Sequence, residues 1–238
     1  GGYASSTVLG INTRKYHGLL VAAFNPPSDR RVLLVKLDEE IEIESKNYSL
    51  GSNEFREGIQ PLGYQFLLGF SLNPFPTYRY DVNGIHLSKC IFMPHEKNAT
   101  VVFYEVLNSN ESEALIHVFP LVNSRHFHSV TDRNELGWSF TQEASNRIVI
   151  IQPSMPLSTL LLFSSDGQYV TGEGKWIREV CFRVDKDRGE SHLDDIFRPG
   201  RFDISIAPKE KKEFYFLAVA GKSLNEACLL YTSDAADE

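Results

Sequence analysis

The chain has 238 residues and a hydrophobic content of 42%, which suffices for one large domain with a sizeable core and excludes wholesale disorder. Its formal net charge of -7 at pH 7 disfavours nucleic acid and anionic membrane surfaces as partners. The sequence has neither an apolar run long enough for a membrane span nor cysteines spaced for a disulfide framework or a zinc site, so we expect a cytoplasmic protein without a cofactor or metal.

Strand signals begin close to the start of the chain. An apolar run over residues 17–24 ends before adjacent prolines, which cannot continue a β-ladder. Residues 40–44 alternate between glutamate and isoleucine, which is the pattern of a half-buried strand. Asn83 and Gly84 separate two alternating runs and predict a hairpin with a type I′ turn, because both central residues of that turn need a positive φ.

The rest of the chain continues the strand pattern. Further strands are predicted at residues 99–107, 113–122, 136–143, 147–152, 158–164, 178–184, 201–207 and 213–220. Helical periodicity is nearly absent, with one short turn expected at 191–197. So many strands without intervening helices predict an all-β fold, a large antiparallel, supersandwich-like β-sandwich that forms one domain over residues 1–227.

The C-terminal end differs in character from the rest of the chain. Its last residues, CLLYTSDAADE, follow the strand-like segment KKEFYFLAVAG and resemble the translation of a sequencing adapter, a contaminant of assembled environmental sequence. We therefore expect residues 228–238 to be a non-native tail, with a natural acidic tail as the alternative. The chain starts on a dense motif without an initiator Met, so we expect both ends to be cut edges of a longer protein.

The opening motif, GGYASSTVLGINTRKYHGLLVAA, holds the first candidate site residues. Asn12, Arg14, Tyr16 and His17 are residue types that hydrogen-bond sugar hydroxyls or stack on sugar rings, and an arginine can also hold a carboxylate through two bonds. On the loop that precedes the first strand they could line a cleft. Alternatively, Arg14 and Tyr16 brace a contact between domains, and His17 is a satisfied, half-buried histidine.

Two other polar clusters have simpler interpretations. The carboxylates of residues 38–44 lie on a predicted strand that faces water, which indicates a solvated face or a charged edge that discourages aggregation. His117, His126 and His128 include an HxH pair, and two imidazoles two positions apart on a strand share a face. Because no carboxylate or cysteine is spaced to complete a ligand set, we predict no metal site.

Asp194 and Asp195 lie in the most polar long loop predicted, residues 185–202. Glycoside hydrolysis needs two carboxyl groups about 5–9.5 Å apart across the scissile bond, a geometry that adjacent aspartates on one short turn do not supply by themselves. The alternatives are that they hold Arg198 or cap a turn. The common nucleophile, phosphate, dinucleotide and zinc-protease motifs are absent from the sequence, so no catalytic residue is assigned.

Four segments together resemble one family. The opening motif is followed, in the family's order, by RRVLLVKLDEEI, LNPFPTYRYDVNGIHLSKCIFMPHEKNATVVFYEV and DRGESHLDDIFRPGRF. Nearly all of residues 1–227 is thus similar to the N-terminal domain of bacterial and archaeal type glycogen debranching enzymes, the amylo-α-1,6-glucosidase family. The resemblance implies a β-sandwich that precedes an all-helical (α/α)6 toroid. In the family, that toroid carries the catalytic acid and base and removes the glucose left at a glycogen branch point.

The resemblance also implies what this part of the chain does. The toroid is absent from the 238 residues, so we expect a domain that is inactive alone, packs on the toroid and lends loops to α-glucan binding. Asn12, Arg14, Tyr16 and His17 fall in the family's motif. Trp176 and Tyr16 are expected to be exposed and to stack on glucosyl rings, whereas Trp138 is expected in the core. A stand-alone carbohydrate-binding module and a purely structural interface domain are the alternatives.

Overall fold

The computed structural model describes residues 1–155 and 158–235, and strands dominate them. The strands are β1 (Tyr3–Ser5), β2 (Gly18–Asn25), β3 (Asp29–Ile43), β4 (Lys46–Ser49), β5 (Asn53–Phe55), β6 (Gly58–Gln60), β7 (Leu67–Ser71), β8 (Thr77–Val82), β9 (Ile85–Phe92), β10 (Ala99–Asn108), β11 (Ala114–His126), β12 (Phe140–Ser145), β13 (Ile148–Pro153), β14 (Thr159–Ser164), β15 (Gln168–Cys181), β16 (Leu193–Ile206) and β17 (Lys211–Gly221). The helical elements are a 3₁₀ turn at Gly63–Phe66, α1 (Arg183–Asp187) and α2 (Leu224–Ala235).

Two large antiparallel sheets form the architecture, as the sequence predicts. The first sheet has the strand order β1-β2-β3-β11-β16-β15, with β4 also paired to β3. The second sheet has the order β12-β13-β14-β17-β10-β9-β8-β7, and β5 and β6 form a separate ribbon. The prediction of an all-β, sandwich-like fold is therefore confirmed.

The main core lies between the two large sheets. In the second sheet, the fully buried rings of Tyr104 and Phe214 stack at a centroid distance of 5.0 Å. Phe202 of the first sheet meets Phe216 of the second edge to face at 4.9 Å. Burial of one such phenylalanine side chain contributes about 1.5–3 kcal/mol to folding, so contacts of this kind hold the two sheets together.

The predicted hairpin forms between β8 and β9. Val82 pairs with Ile85, and Asn83 and Gly84 between them have φ values of 45° and 82°. A Cβ atom on Gly84 would lie 2.6 Å from the Asn110 Oδ1 atom. Gly84 is therefore required both by the type I′ turn and by the close approach of Asn110.

One long polar segment differs from its prediction. Residues 185–202, predicted as a loop with a short turn at 191–197, begin in α1 and continue into β16, which pairs with both β11 and β15. The prediction was wrong because charged residues normally indicate exposure. Asp194 and Asp195 are instead buried in the strand, where specific partners compensate their charge.

The acidic run at residues 38–44 is also only partly a solvated face. Its strand β3 is not an edge, since it pairs with β2, β4 and β11. Glu39 is buried and accepts hydrogen bonds from the Lys89 Nζ atom at 2.6 Å and the Tyr104 hydroxyl at 2.5 Å. Trp138 was expected in the core, and this expectation is wrong, because Trp138 precedes β12 and is half-buried outside the core.

The outer face of the second sheet is covered by α2. Ala99, Leu217 and Val219 form a small cluster there, with Leu230 and Tyr231 packed against it. The expected domain end at residue 227 falls inside this helix, and residues 236–238 of the expected tail lie outside the described residues, so the assignment of a non-native tail stays a prediction. No helix in the described part of the chain is both long and apolar enough to cross a membrane.

Candidate functional site

The candidate site lies at one end of the outer face of the first sheet. Adjacent residues on its strands point to opposite sides: Leu20 and Val122 enter the main core, whereas Val21 and Leu121 belong to a second apolar cluster. This second cluster also includes Phe182 and is flanked by side chains of the segments that close over it. We call this region the covered end, formed by the opening loop (residues 6–17), the loop 127–133 and the segment 183–192.

Asp185 ties the opening loop to α1. Its carboxylate is fully buried and accepts a hydrogen bond from the Lys15 backbone N–H at 2.6 Å and from the Arg14 Nε atom at 3.3 Å. The Lys15 Nζ atom lies 2.6 Å from the Glu190 carboxylate. Sequence analysis missed Lys15 and Asp185, because the two elements are separated by 170 residues and nothing local indicates their pairing.

Arg125 and Asp194 form a buried ion pair beneath the opening loop. Their Nε and Oδ2 atoms are 2.9 Å apart, and Asp194 is 0% exposed. Arg125 also donates to the backbone carbonyls of Lys15 at 2.7 Å and Ser129 at 2.9 Å, while Asp194 accepts from the Thr131 N–H at 2.7 Å. Burial raises the pKa of the Asp194 carboxyl, and Arg125 and the Thr131 N–H oppose that shift. The pair therefore joins β11, β16, the opening loop and the loop 127–133.

Asp195 has an equally complete set of partners. It accepts from the Arg178 Nε atom at 2.8 Å and from the backbone N–H groups of Arg133 at 2.7 Å and Glu179 at 2.8 Å. One of the two alternatives weighed from the sequence, that the aspartates hold Arg198, is wrong, since Arg198 lies over the Phe119 ring instead. Both carboxylates orient the loops around them, which is the kind of non-catalytic role weighed from the sequence.

Asn12 and His17 fix the opening loop from within. The Asn12 side chain is buried, accepts from the Ser6 hydroxyl at 3.1 Å and donates to the Val35 carbonyl at 3.4 Å. The His17 Nδ1 atom accepts from the Thr13 backbone N–H at 3.2 Å. Burial, helped by the nearby Arg14 guanidinium and opposed by Asp185, lowers the pKa of His17. A neutral imidazole is the form that can accept this hydrogen bond.

An aromatic ridge crosses the surface of the covered end, formed by Arg14, Tyr16, Phe127 and His128. The Arg14 guanidinium lies 4.9 Å from the Tyr16 ring centroid, and its side chain stays 32% exposed. The Tyr16 hydroxyl hydrogen-bonds the His128 Nδ1 atom at 3.0 Å, and the Phe127 and His128 rings are 4.0 Å apart. Tyr16 is thus half-buried rather than fully exposed. The ridge offers one cation, aromatic surface and an imidazole.

His117 does not cluster with His126 and His128, the HxH pair of the sequence. His128 belongs to the ridge, and His126 lies beside it with its ring centroid 5.4 Å from that of His128. The His117 Nδ1 atom is 2.6 Å from Asp203 and its Nε2 atom 3.4 Å from Glu42. These carboxylates come from neighbouring strands, so spacing along the sequence could not reveal them.

Trp176 adjoins the covered end but is not an open stacking platform. Its half-buried ring packs on Phe197 at 5.3 Å and Phe140 at 5.9 Å, and the Arg133 guanidinium lies 5.4 Å from its centroid. Arg133 in turn donates its N–H to Asp195. The structure therefore links Trp176, Asp194, Asp195, Arg14 and the opening loop into one region, although the expectation of an exposed tryptophan is wrong.

Comparison with known proteins adds to this geometry. No curated protein sequence matches the chain. Among solved structures, the chain is similar to a bacterial glucoamylase complexed with acarbose (TM-score 0.49, 11% identity, 100% of this chain and 35% of that chain). It is also similar to a polysaccharide lyase (0.46, 10%, 87% and 33%) and to a putative kojibiose phosphorylase from the human microbiome (0.46, 9%, 93% and 29%). The chain thus spans about a third of the length of these structures.

The family assignment rests on the sequence. The model described as "Glycogen debranching enzyme N terminal" matches residues 1–213, which include the opening motif, the ridge residues and both aspartates. This match covers most of the chain and confirms the resemblance seen in the sequence. The chain belongs to the family of N-terminal domains of glycogen debranching enzymes.

Proposed function

We propose that residues 1–227 are the non-catalytic N-terminal domain of a glycogen-debranching glycoside hydrolase, an amylo-α-1,6-glucosidase. The domain packs on an (α/α)6 catalytic domain, is inactive alone, and presents its aromatic ridge to that domain and to the α-glucan substrate. Family membership supports the parent activity. Cys90 and Cys181 are free thiols, which fits work in the reducing cytoplasm.

The observation that carries this proposal is the ion-pair network under the ridge. Buried ion pairs contribute little net stability, because desolvation of both charges offsets their attraction. Here Asp185 and Asp194, both fully buried, hold the loop that carries Arg14 and Tyr16. Such a network fixes a surface group in one orientation before binding, which is what a preorganised contact surface needs.

The ridge also has the composition of a binding hot spot. Arginine and tyrosine are enriched among the residues that carry most of the binding free energy at protein interfaces. Within residues 1–155 and 158–235, the Arg14 side chain hydrogen-bonds through its Nε atom alone and is 32% exposed, which leaves its other N–H groups for a partner carboxylate or sugar hydroxyl. A docking surface that adjoins a glucan is therefore the function that the covered end supports best.

The test is reconstitution with a catalytic half. The 238-residue chain is mixed with the separately produced helical domain of a glycogen debranching enzyme of this family, and association is measured by sedimentation. Glucose release from a branched limit dextrin is measured on the same mixture. Arg14→Ala and Tyr16→Ala are each expected to weaken association about tenfold or more.

Lys211→Ala serves as the matched control, because it removes an exposed cation whose ion pairs with Glu105 and Glu213 lie away from the ridge. Association that is unchanged in both ridge variants would contradict the docking role. Sugar binding lost in both ridge variants without any association would favour a stand-alone carbohydrate-binding module. Association without sugar dependence would favour a purely structural interface domain.

A further inference from the structure

A second feature of the first sheet's outer face lies beside the covered end. Two cavities of ≈ 460 and ≈ 500 Å³ adjoin there and share Phe119 and Arg198 as lining residues. Each has a volume within the range of small-molecule sites, about 300–1,000 Å³. We call the joined cavities the sheet groove. None of the candidate site residues of the sequence lines it.

Irregular strand pairing opens this groove. Between Val118 and Val122, β11 loses its register with β16, and β15 shifts against β16 between Thr171 and Lys175. Within the second shift, Gly174 has a φ of 80°, and a Cβ atom there would lie 2.5 Å from the Phe197 ring. Bulges of this kind redirect side chains and often lie beside functional sites, so the groove is built into the sheet.

Arg198 lies at the centre of the groove with its donors unused. Its guanidinium carbon is 4.8 Å from the Phe119 ring centroid. Over residues 1–155 and 158–235, the Arg198 side chain forms no hydrogen bond or ion pair. The contact with Phe119 fixes the position of the guanidinium and leaves its N–H groups free for oxygen atoms of a ligand.

The remaining lining groups point to a neutral, hydroxyl-rich ligand. Glu39 also borders the groove, but its carboxylate is buried against Lys89 and Tyr104. The other lining carboxylates and cations balance; they are Asp38, Glu40 and Glu173 against Lys175, Arg198 and Arg201. Such a balance favours neither an anion nor a cation. The side chains of Ser49 and Asn53 orient the Glu40 and Asp38 carboxylates, and the exposed Gln60 side chain adds a further polar group. Carboxylates accept and guanidinium groups donate strong hydrogen bonds, and vicinal hydroxyls need both.

We propose that the sheet groove is a binding site for a linear α-1,4-glucan segment. The Arg198 guanidinium donates to the hydroxyls of one glucosyl unit, the exposed part of the Phe119 ring contacts its nonpolar C–H groups, and the carboxylate of Glu40 accepts from a neighbouring unit. The choice of an α-glucan rests on the proposed function, whereas the preference for a neutral sugar over an ion rests on the groove itself.

The test is calorimetric titration of the 238-residue chain with maltoheptaose, together with mapping of amide shifts by NMR. Saturable binding is expected, with shifts at Phe119, Gly174 and Arg198. Arg198→Ala and Phe119→Leu are each expected to weaken binding about tenfold, the effect of one lost charge-assisted hydrogen bond or ring contact. Phe119→Tyr keeps the ring and is expected to bind as the original chain does.

Controls separate specific sugar binding from the general loss of a surface cation and from simple anion binding. Lys211→Ala removes an exposed cation whose ion pairs with Glu105 and Glu213 lie outside the groove lining, and it is expected to leave maltoheptaose affinity unchanged. Inorganic phosphate is expected to cause no shift at Arg198. The ridge variants Arg14→Ala and Tyr16→Ala are titrated in parallel. The proposal is overturned if folded chain fails to bind maltoheptaose at millimolar concentration, if only the ridge variants lose binding, or if phosphate alone binds at Arg198. Docking to the catalytic domain is measured separately by sedimentation, so the proposed function can stand when the groove fails.

Discussion

Two arginines on the same face of the first sheet show how differently one residue type can be used. The Arg125 guanidinium lies 5.6 Å from the Phe182 ring, and that of Arg198 lies 4.8 Å from the Phe119 ring. Arg125 is 5% exposed and bonds Asp194 and two backbone carbonyls. Arg198 has the ring contact without any such partner in the described ranges. The covered end therefore uses the Arg125 guanidinium for internal order, whereas the groove leaves the Arg198 guanidinium available to a ligand.

The largest predicted effect breaks the covered end. Asp194→Ala removes the acceptor for the Arg125 Nε atom and for the Thr131 N–H, leaving a buried guanidinium uncompensated. Loss of one partner of a buried pair costs about 3–5 kcal/mol. We expect that decrease in the free energy of unfolding, measured by urea denaturation.

Asp132→Ala is the matched control for this variant. Asp132 contacts Arg178 at 3.7 Å, with both side chains largely exposed, and exposed pairs contribute about 1 kcal/mol or less. Similar losses in the two variants would show that the covered end does not depend on its buried pair. A small loss in Asp194→Ala would contradict the difference drawn between Arg125 and Arg198.

The second prediction disturbs the groove through its backbone. Gly174→Ala places a Cβ atom 2.5 Å from the Phe197 ring at a positive φ, so ring displacement and backbone strain add. Overpacking of this kind costs about 1–3 kcal/mol. Thermal unfolding followed by circular dichroism measures it. Gly137→Ala, where no atom lies within 4 Å of the new Cβ, is expected to leave the melting temperature unchanged, and equal losses would contradict the tight fit.

The third prediction concerns acid sensitivity of the covered end. The folded pKa of His17 is lowered by burial and by Arg14, below the 6.5 of the unfolded chain. The unfolded state therefore binds the proton more readily, and stability must fall as the pH drops below about 6.5, until the folded pKa is reached. Protonation of Nδ1 would also remove the hydrogen bond from the Thr13 N–H.

His17→Gln tests this linkage, because its side-chain oxygen can accept from the same N–H without titrating. Urea denaturation between pH 7.5 and 5, at about half-unit steps, is expected to show a smaller decrease in stability for His17→Gln than for the original chain. Equal slopes would assign the acid sensitivity to groups other than His17.

Sequence patterns predicted the fold better than they predicted the polar interior. The hairpin at Asn83 and Gly84 and most strands follow from local alternation and turn chemistry, which the packed structure keeps. The first part of β16, residues 193–200, was missed because Asp194 and Asp195 suggest a loop, whereas its end was predicted as a strand at residues 201–207. Arg125, which makes burial of Asp194 possible, lies 69 residues away in the sequence. No local pattern contains that information.

The candidate site was also predicted only in part from the sequence. Residue types in the opening motif, together with the family resemblance, led to Asn12, Arg14, Tyr16 and His17, and the structure places them in one loop. It could not indicate Asp185, whose role depends on contacts about 170 residues apart. The sequence did not predict the sheet groove, because the groove arises from register shifts. A register shift depends on the pairing of whole strands rather than on any single residue.

The smallest predicted effect sharpens the comparison between the two arginines. Arg198→Ala removes one cation–π contact with Phe119, which contributes about 0.5–1 kcal/mol at a partly exposed site. Urea denaturation should therefore show a loss well below that of Asp194→Ala, with an unchanged dependence on denaturant. A loss above about 2 kcal/mol would mean that Arg198 is a structural residue like Arg125. We expect Arg198→Ala to cause a small loss of stability together with a tenfold loss of maltoheptaose affinity. Only an arginine that binds the ligand produces both results.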